Sequence, residues 1–210
     1  MAYVDKCVSE FLDMLASRDP TPGGGSGAAL GVALAAALVS MVCNLTIGKK
    51  GYEDAEERMR DILAQSEALR AELPELLEAD TQVYGRVMAA YRLPRKTDED
   101  KAARRQAIQE ALREASEVPL AIADRCAQVV DLALPAAQHG NNWAVSDAGV
   151  GALLAEACMH AALLNVSINM ASIDDPEYVA GLQERMNALV DARTETKARV
   201  LELVHAKIGA

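Results

Sequence analysis

The chain has 210 residues and a formal net charge of −10; 51% of its residues are apolar, yet only seven are aromatic. A chain of this length buries roughly 70% of its unfolded surface as one domain, and a core of Ala, Leu, Val and Met favours close-packed helices over sheets. The acidic balance argues against nucleic acid as the main partner, because phosphate binding needs clustered Lys and Arg. Cys7, Cys43, Cys126 and Cys158 are scattered without CxxC spacing, and the N-terminus carries no secretory signal pattern. They read as reduced thiols of a cytoplasmic protein, not as disulfides or a zinc site.

In chain order, the pattern predicts helices throughout. Val4, Val8, Phe11, Leu12 and Leu15 give an amphipathic spacing over Tyr3 to Ser17. A helix of small residues follows from Ser26 to about Thr46. The next runs from Tyr52 to about Tyr91 and is expected to bend or break at Pro74. "TDED" at Thr97 to Asp100 is a capping start for a charged helix through Ala115. Pro119 opens another helix to about Ala137. "HGNNWAVSD" reads as a loop in which Ser146 or a neighbour caps a helix over Asp147 to Ala171. "DDPE" sets Pro176 in the first turn of a last helix, to about Lys207. No stretch reads as a strand. The expected fold is an all-α, single-domain bundle over residues 1–210 with a buried small-residue helix.

The segment "DPTPGGGSGAALGVALAAALVSMVCNLTIGKK" sets the functional question, since no charge lies between Pro20 and Gly48. A Walker loop is excluded: Gly48-Lys49 is followed by Lys50, and no strand precedes it. A membrane span is long enough but weak, with six alanines, an asparagine and no aromatic belt between Ser26 and Thr46. A helix buried on all sides of a soluble core fits better. Close packing accounts for Gly27 through Ala37. It leaves Gly23, Gly24 and Gly25 unexplained, and equally Ser40, Asn44, Lys49 and Lys50. A side-chain-free turn feeding a helix N-terminus exposes N–H groups that suit an anion or a polar heterocycle.

Polar residues also interrupt apolar faces. Asp80 falls within the stripe of Leu73, Leu76, Leu77, Tyr84, Val87 and Tyr91. A carboxylate there is paired with an Arg or a helix end, or it is functional. Asp147 can serve simply as an acidic residue in a first helical turn. Asn165 and Asn169 lie one turn apart on one face, able to bond helix ends or a heterocycle. Asn141, Asn142 and Ser146 share a loop. His139, His160 and His205 show no metal-binding spacing. Ser26 lacks a His-Asp constellation, and Cys43 lies in apolar surroundings that disfavour a thiolate, so covalent catalysis is not expected.

Taken in order, "PTPGGGSGAA", "SMVCNLTIGKKGY", "EVPLAIADRC", "GNNWAVSDAGVGALLAEA" and "NVSIN" resemble the folate cyclodeaminase/cyclohydrolase family. That family includes the cyclodeaminase half of formiminotransferase-cyclodeaminase and free-standing methenyltetrahydrofolate cyclohydrolases. The resemblance runs from about Val8 to Lys207. It implies an all-helical homodimer with a tetrahydrofolate substrate and no metal or other cofactor. The acidic charge and the weak apolar span above lead to the expectation of neither a nucleic-acid nor a membrane partner.

On this resemblance Gly23, Gly24, Gly25 and Ser26 form one wall of a folate pocket, and Lys49 and Lys50 offer charge to the glutamate tail. Asp80 and Asp147 become the candidates for proton transfer and cation stabilisation. Asn44, Asn141 and Asn165 would hold ring and adduct, with Tyr84 and Ser146 completing the substrate-binding set. The wording of "SMVCNLTIGKKGY" and of the segment from Tyr91 to Leu120 points to hydrolysis of 5,10-methenyltetrahydrofolate. The alternatives are ammonia release from 5-formiminotetrahydrofolate and a helical dimer that binds folate or a partner without turnover.

Overall fold

Each helix begins and ends on a local chemical signal. In the computed structural model, which describes residues 3–209, a 3-10 turn at Tyr3–Asp5 leads into α1, Val8–Leu15. The other helices are α2 (Gly24–Asn44), α3 (Glu56–Tyr91), α4 (Asp98–His139), α5 (Val145–Met170) and α6 (Pro176–Ile208). No strand occurs among the described residues, so the all-α expectation holds.

The expected caps of α4 and α6 are present. The Asp100 N–H donates to Thr97 Oγ1 at 3.1 Å while the Thr97 N–H donates to Asp100 Oδ2, also at 3.1 Å. The Asp175 carboxylate accepts from the Tyr178 N–H at 3.1 Å, with Pro176 opening the helix. Lys207 Nζ reaches across from α6 and donates to the Ala137 and Gln138 carbonyls, closing the end of α4.

Four sequence expectations are corrected. First, α1 is shorter than Tyr3 to Ser17, and only its Phe11 is buried. Second, α3 does not break at Pro74 and α4 does not restart at Pro119; both run through. Proline removes one backbone donor, and at Pro119 the deprived acceptor is the Ala115 carbonyl. Asn169 Nδ2 of α5 donates to that carbonyl at 2.7 Å, so a neighbouring helix restores the bond. Third, α5 starts at Val145, and the turn before it is held by Asn141 Oδ1 accepting from the Trp143 N–H. Ser146 lies exposed in the first turn and caps nothing.

The fourth correction concerns α2. It is buried on one side against α3, α4 and α5, where Val32, Ala35, Ala36, Val39, Val42 and Cys43 are inaccessible to solvent. Its other side is open, with Leu34, Met41 and Leu45 about half exposed. Helices α2 and α5 run antiparallel side by side. Gly24 lies next to Asn165, Gly31 against Cys158 and Gly151 against Ala35. Both are long and apolar enough to cross a membrane, yet each packs its inner face into the protein core.

Candidate active site

A pocket of about 300 Å³ lies where the N-terminus of α2 meets α3, α4 and the C-terminal half of α5. The segment Gly23 to Gly25 forms one wall and Asp80 of α3 faces it. A Cβ on Gly25 would lie 2.6 Å from the Asp80 Cγ. Only glycine permits this approach of backbone to carboxylate. Ser26, fully buried, donates its hydroxyl to Asp80 Oδ2 at 3.0 Å, and its backbone N–H also bonds the carboxylate. The free N–H groups of the first turn add a favourable field for negative charge.

Two influences compete at Asp80. Burial raises its carboxyl above the ordinary aspartate range, and the Ser26 hydroxyl and N–H partly draw it back. No Lys or Arg lines the pocket. The result is a half-buried carboxylate whose neighbours are dipoles, able to receive a cation or a proton. Asn165 stands across the glycine turn, its amide next to Gly24. Its Nδ2 donates to the Ala161 carbonyl at 2.9 Å, which leaves Oδ1 and the second amide proton for a ligand. Val83, Val87, Pro119 and Ile168 supply an apolar lining, and Tyr84 sits partly exposed beside them.

The remaining candidates lie at the opposite end of α2 and α5. Gly24 and Asn44 are about 30 Å apart along α2, and Asp147 lies about 27 Å along α5 from Asn165. Asn44, Lys49 and Lys50 are exposed there, flanked by Gly48 and Gly51 with positive φ of 72° and 90°. Thr46 organises this end: its hydroxyl donates to the Val42 carbonyl at 2.6 Å and accepts from the Asn141 N–H at 2.8 Å. Asn141 commits its amide to the Leu45 carbonyl and the Trp143 N–H. Tyr52 OH accepts from the Asn142 N–H at 3.0 Å. The loop so held presents Trp143 with 90% exposure.

The structure thus brings Gly23, Gly24, Gly25, Ser26, Asp80, Tyr84 and Asn165 into one pocket. It leaves Asn44, Lys49, Lys50, Asn141, Ser146 and Asp147 outside that pocket, at the opposite end of α2 and α5. Ser40, grouped with Asn44 in the sequence, bonds Ser66 of α3 at 2.8 Å inside the core. Sequence reasoning missed Val83 and Ile168 as lining residues of the pocket. Burial pushes the Cys43 thiol up to about 11, so it offers no thiolate near neutrality. His139 contacts Arg58 at 2.5 Å, and burial, with Arg58 and Lys207 adding, lowers its pKa.

With this geometry in view, the relatives are informative. Residues 7–188 match the formiminotransferase-cyclodeaminase family. The methenyltetrahydrofolate cyclohydrolase of Methylorubrum extorquens is 44% identical over 98% of this chain and 99% of its own length. The formimidoyltransferase-cyclodeaminase of Sus scrofa is 34% identical over 98% of this chain, which spans 38% of that protein. The crystal structure of formiminotetrahydrofolate cyclodeaminase from Thermotoga maritima superposes with a TM-score of 0.87 at 30% identity, covering 97% of this chain and 98% of that one. The chain belongs to the formiminotransferase-cyclodeaminase family.

Proposed function

We propose that this chain is a methenyltetrahydrofolate cyclohydrolase, opening the bridge of 5,10-methenyltetrahydrofolate to give 10-formyltetrahydrofolate. The observation that carries the reading is the Asp80 carboxylate, half-buried against the glycine turn with no protein cation beside it. The methenyl bridge is an amidinium cation, and it supplies the charge that this carboxylate lacks. Support for hydrolysis over ammonia release is the greater identity to the Methylorubrum cyclohydrolase, over nearly all of that protein.

In this reading Asp80 takes one proton from a water as its oxygen bonds the bridge carbon, giving a neutral carbinolamine. The C–N5 bond then breaks. Asp80 returns its proton to N5, and the hydroxyl proton leaves to solvent as the formyl C=O forms on N10. One water is consumed and one proton released. Asn165 holds the pterin edge or the adduct oxygen through its free amide groups. No cofactor beyond the folate substrate enters the reading, which carries a homodimer in the cytoplasm.

Purified protein mixed with 5,10-methenyltetrahydrofolate tests this through loss of the bridged chromophore in the near ultraviolet, against a buffer blank. Loss proportional to protein, abolished in Asp80→Asn, supports hydrolysis. Ammonia release from 5-formiminotetrahydrofolate without that loss supports the cyclodeaminase. Folate binding with neither turnover leaves a non-catalytic binder.

A further inference from the structure

We infer that Asn169 determines specificity together with Asn165: their side-chain oxygens, one helical turn apart, accept the two hydrogens of the pterin 2-amino group, and Pro119 holds Asn169 in position to do so. The inference rests on the folate reading above and names the part of the substrate that the α5 wall recognises. Asn165 and Asn169 both line the pocket. Each commits its Nδ2 to a backbone carbonyl, that of Ala161 at 2.9 Å and that of Ala115 at 2.7 Å. An amide held through its nitrogen has its oxygen fixed as well. Neither Oδ1 accepts a hydrogen bond among the described residues. Arg193 Nε is the one buried side-chain nitrogen or oxygen there without a partner, so both amide oxygens open on accessible space.

Their spacing fits one donor group in particular. Residues four apart on a helix set their Cβ atoms about 5–6 Å apart. An amino group on a flat ring points its two N–H bonds about 120° apart, so acceptors about 2.9 Å from its nitrogen stand about 5 Å from each other. A single ring N–H would fill one oxygen and leave the other unpaired. In a pterin the 2-amino group lies across the pyrimidine ring from N5, the atom that carries the bridge. Asp80 of α3 stands against Gly25, and Asn165 of α5 stands against Gly24. A ring resting on the glycine turn therefore meets the amides with its amino edge and Asp80 with its bridge.

The anchor of Asn169 is made by a proline. An ordinary residue at position 119 would donate its N–H to the Ala115 carbonyl, but proline has none. The helix runs on regardless, and the carbonyl so released lies in the pocket wall. Helix stability alone does not call for the bond from Asn169, since any residue with an N–H at 119 would satisfy the same carbonyl within α4. Proline instead leaves a fixed acceptor for a side chain of another helix, and the Asn169 oxygen is oriented before the substrate arrives. Asn165 needs no such device, because its anchor is the carbonyl one turn earlier on its own helix.

The test pairs 5,10-methenyltetrahydrofolate with its analogue in which methyl replaces the 2-amino group. The wild-type protein should prefer the natural substrate by about tenfold or more in kcat/KM, because the analogue leaves two acceptors unpaired. Asn169→Ala should raise KM for the natural substrate by about tenfold with kcat little changed. Its preference over the analogue should shrink by about threefold or more. That ratio is taken within one protein, so it does not depend on how much of the variant is folded. Pro119→Ala/Asn169→Ala separates propping from recognition. The N–H gained at position 119 bonds Ala115 again, so Tm should rise above that of Asn169→Ala while the raised KM and the reduced preference persist. A wild-type protein indifferent to the methyl replacement would overturn the inference. So would an Asn169→Ala variant with the wild-type preference, or a double variant whose KM returns to the wild-type value. Failure of the function itself looks different: wild-type protein that accelerates the loss of neither bridged chromophore.

Discussion

Gly25→Ala is the sharpest single perturbation of the pocket. The added methyl would lie 2.6 Å from the Asp80 Cγ and 2.7 Å from its Oδ2. Carbon contacts are comfortable only at about 3.5–4.0 Å, so the carboxyl must retreat by about 1 Å. That movement also lengthens the 3.0 Å hydrogen bond from Ser26. A misplacement of about 1 Å in a catalytic group is worth roughly 100-fold in rate, so kcat/KM for 5,10-methenyltetrahydrofolate is expected to fall by about that factor. Gly27 supplies the control, because nothing lies within 4 Å of a Cβ built there. Gly27→Ala should keep full activity and gain about 0.5–1 kcal/mol from better helix propensity. Absorbance kinetics and thermal melts of the two variants decide the matter. Wild-type kcat/KM in Gly25→Ala, or equal losses in both variants, would refute the assignment of Asp80 to the reaction.

Asp80→Asn should lose roughly 100- to 10,000-fold in kcat while remaining folded. Burial raises the Asp80 carboxyl, so the native state holds its proton more tightly than the unfolded chain does. Stability therefore falls as pH rises through that interval, and the Tm advantage of Asp80→Asn should grow from mildly acidic to neutral pH in paired melts. Ser26→Ala removes a donor to the ionised carboxylate, so the acid limb of the kcat/KM profile should move to higher pH. Ser66→Ala removes the bond between the buried Ser40 and Ser66 hydroxyls while Ser40 keeps its bond to the Glu67 carboxylate, for an expected loss of about 0.5–1.5 kcal/mol in urea unfolding. The Ser40→Ala/Ser66→Ala pair should lose less than the sum of its singles. Asn169→Ala frees the Ala115 carbonyl beside Pro119 and should lower stability by about 1–3 kcal/mol.

What could be read from the sequence was governed by range. Helix starts resting on contacts of three residues or fewer, such as Thr97 with Asp100 or Asp175 with Tyr178, appear directly in the residue pattern. Proline 119 was misread because its remedy is an amide 50 residues away on another helix, and no local pattern carries that information. The polar residues of the pocket were visible as interruptions of apolar faces, but the contact of Ser26 with Asp80 spans 54 positions. The separation of the candidates between the two ends of α2 was, in contrast, calculable. A helix from Gly24 to Asn44 is about 30 Å long and holds its ends apart.

The arrangement around Asp80 also indicates why the protein retains a feature that weakens its fold. A carboxyl at this depth would be stabilised outright by an arginine, and the chain has many to offer: Arg125 pairs with Glu72 at 2.8 Å only two turns earlier on α3. An arginine beside Asp80 would lower its pKa, fill the pocket and compete with a cationic substrate. The Ser26 donors do less. They keep the carboxylate oriented without neutralising it, so its remaining need is met only when a cation enters. Binding an amidinium then favours the ionised form, which is the form that accepts a proton from water. Glycine at position 25 is what brings those donors close enough, and the exposed glycine-rich turn is thereby tied to the chemistry of the carboxylate.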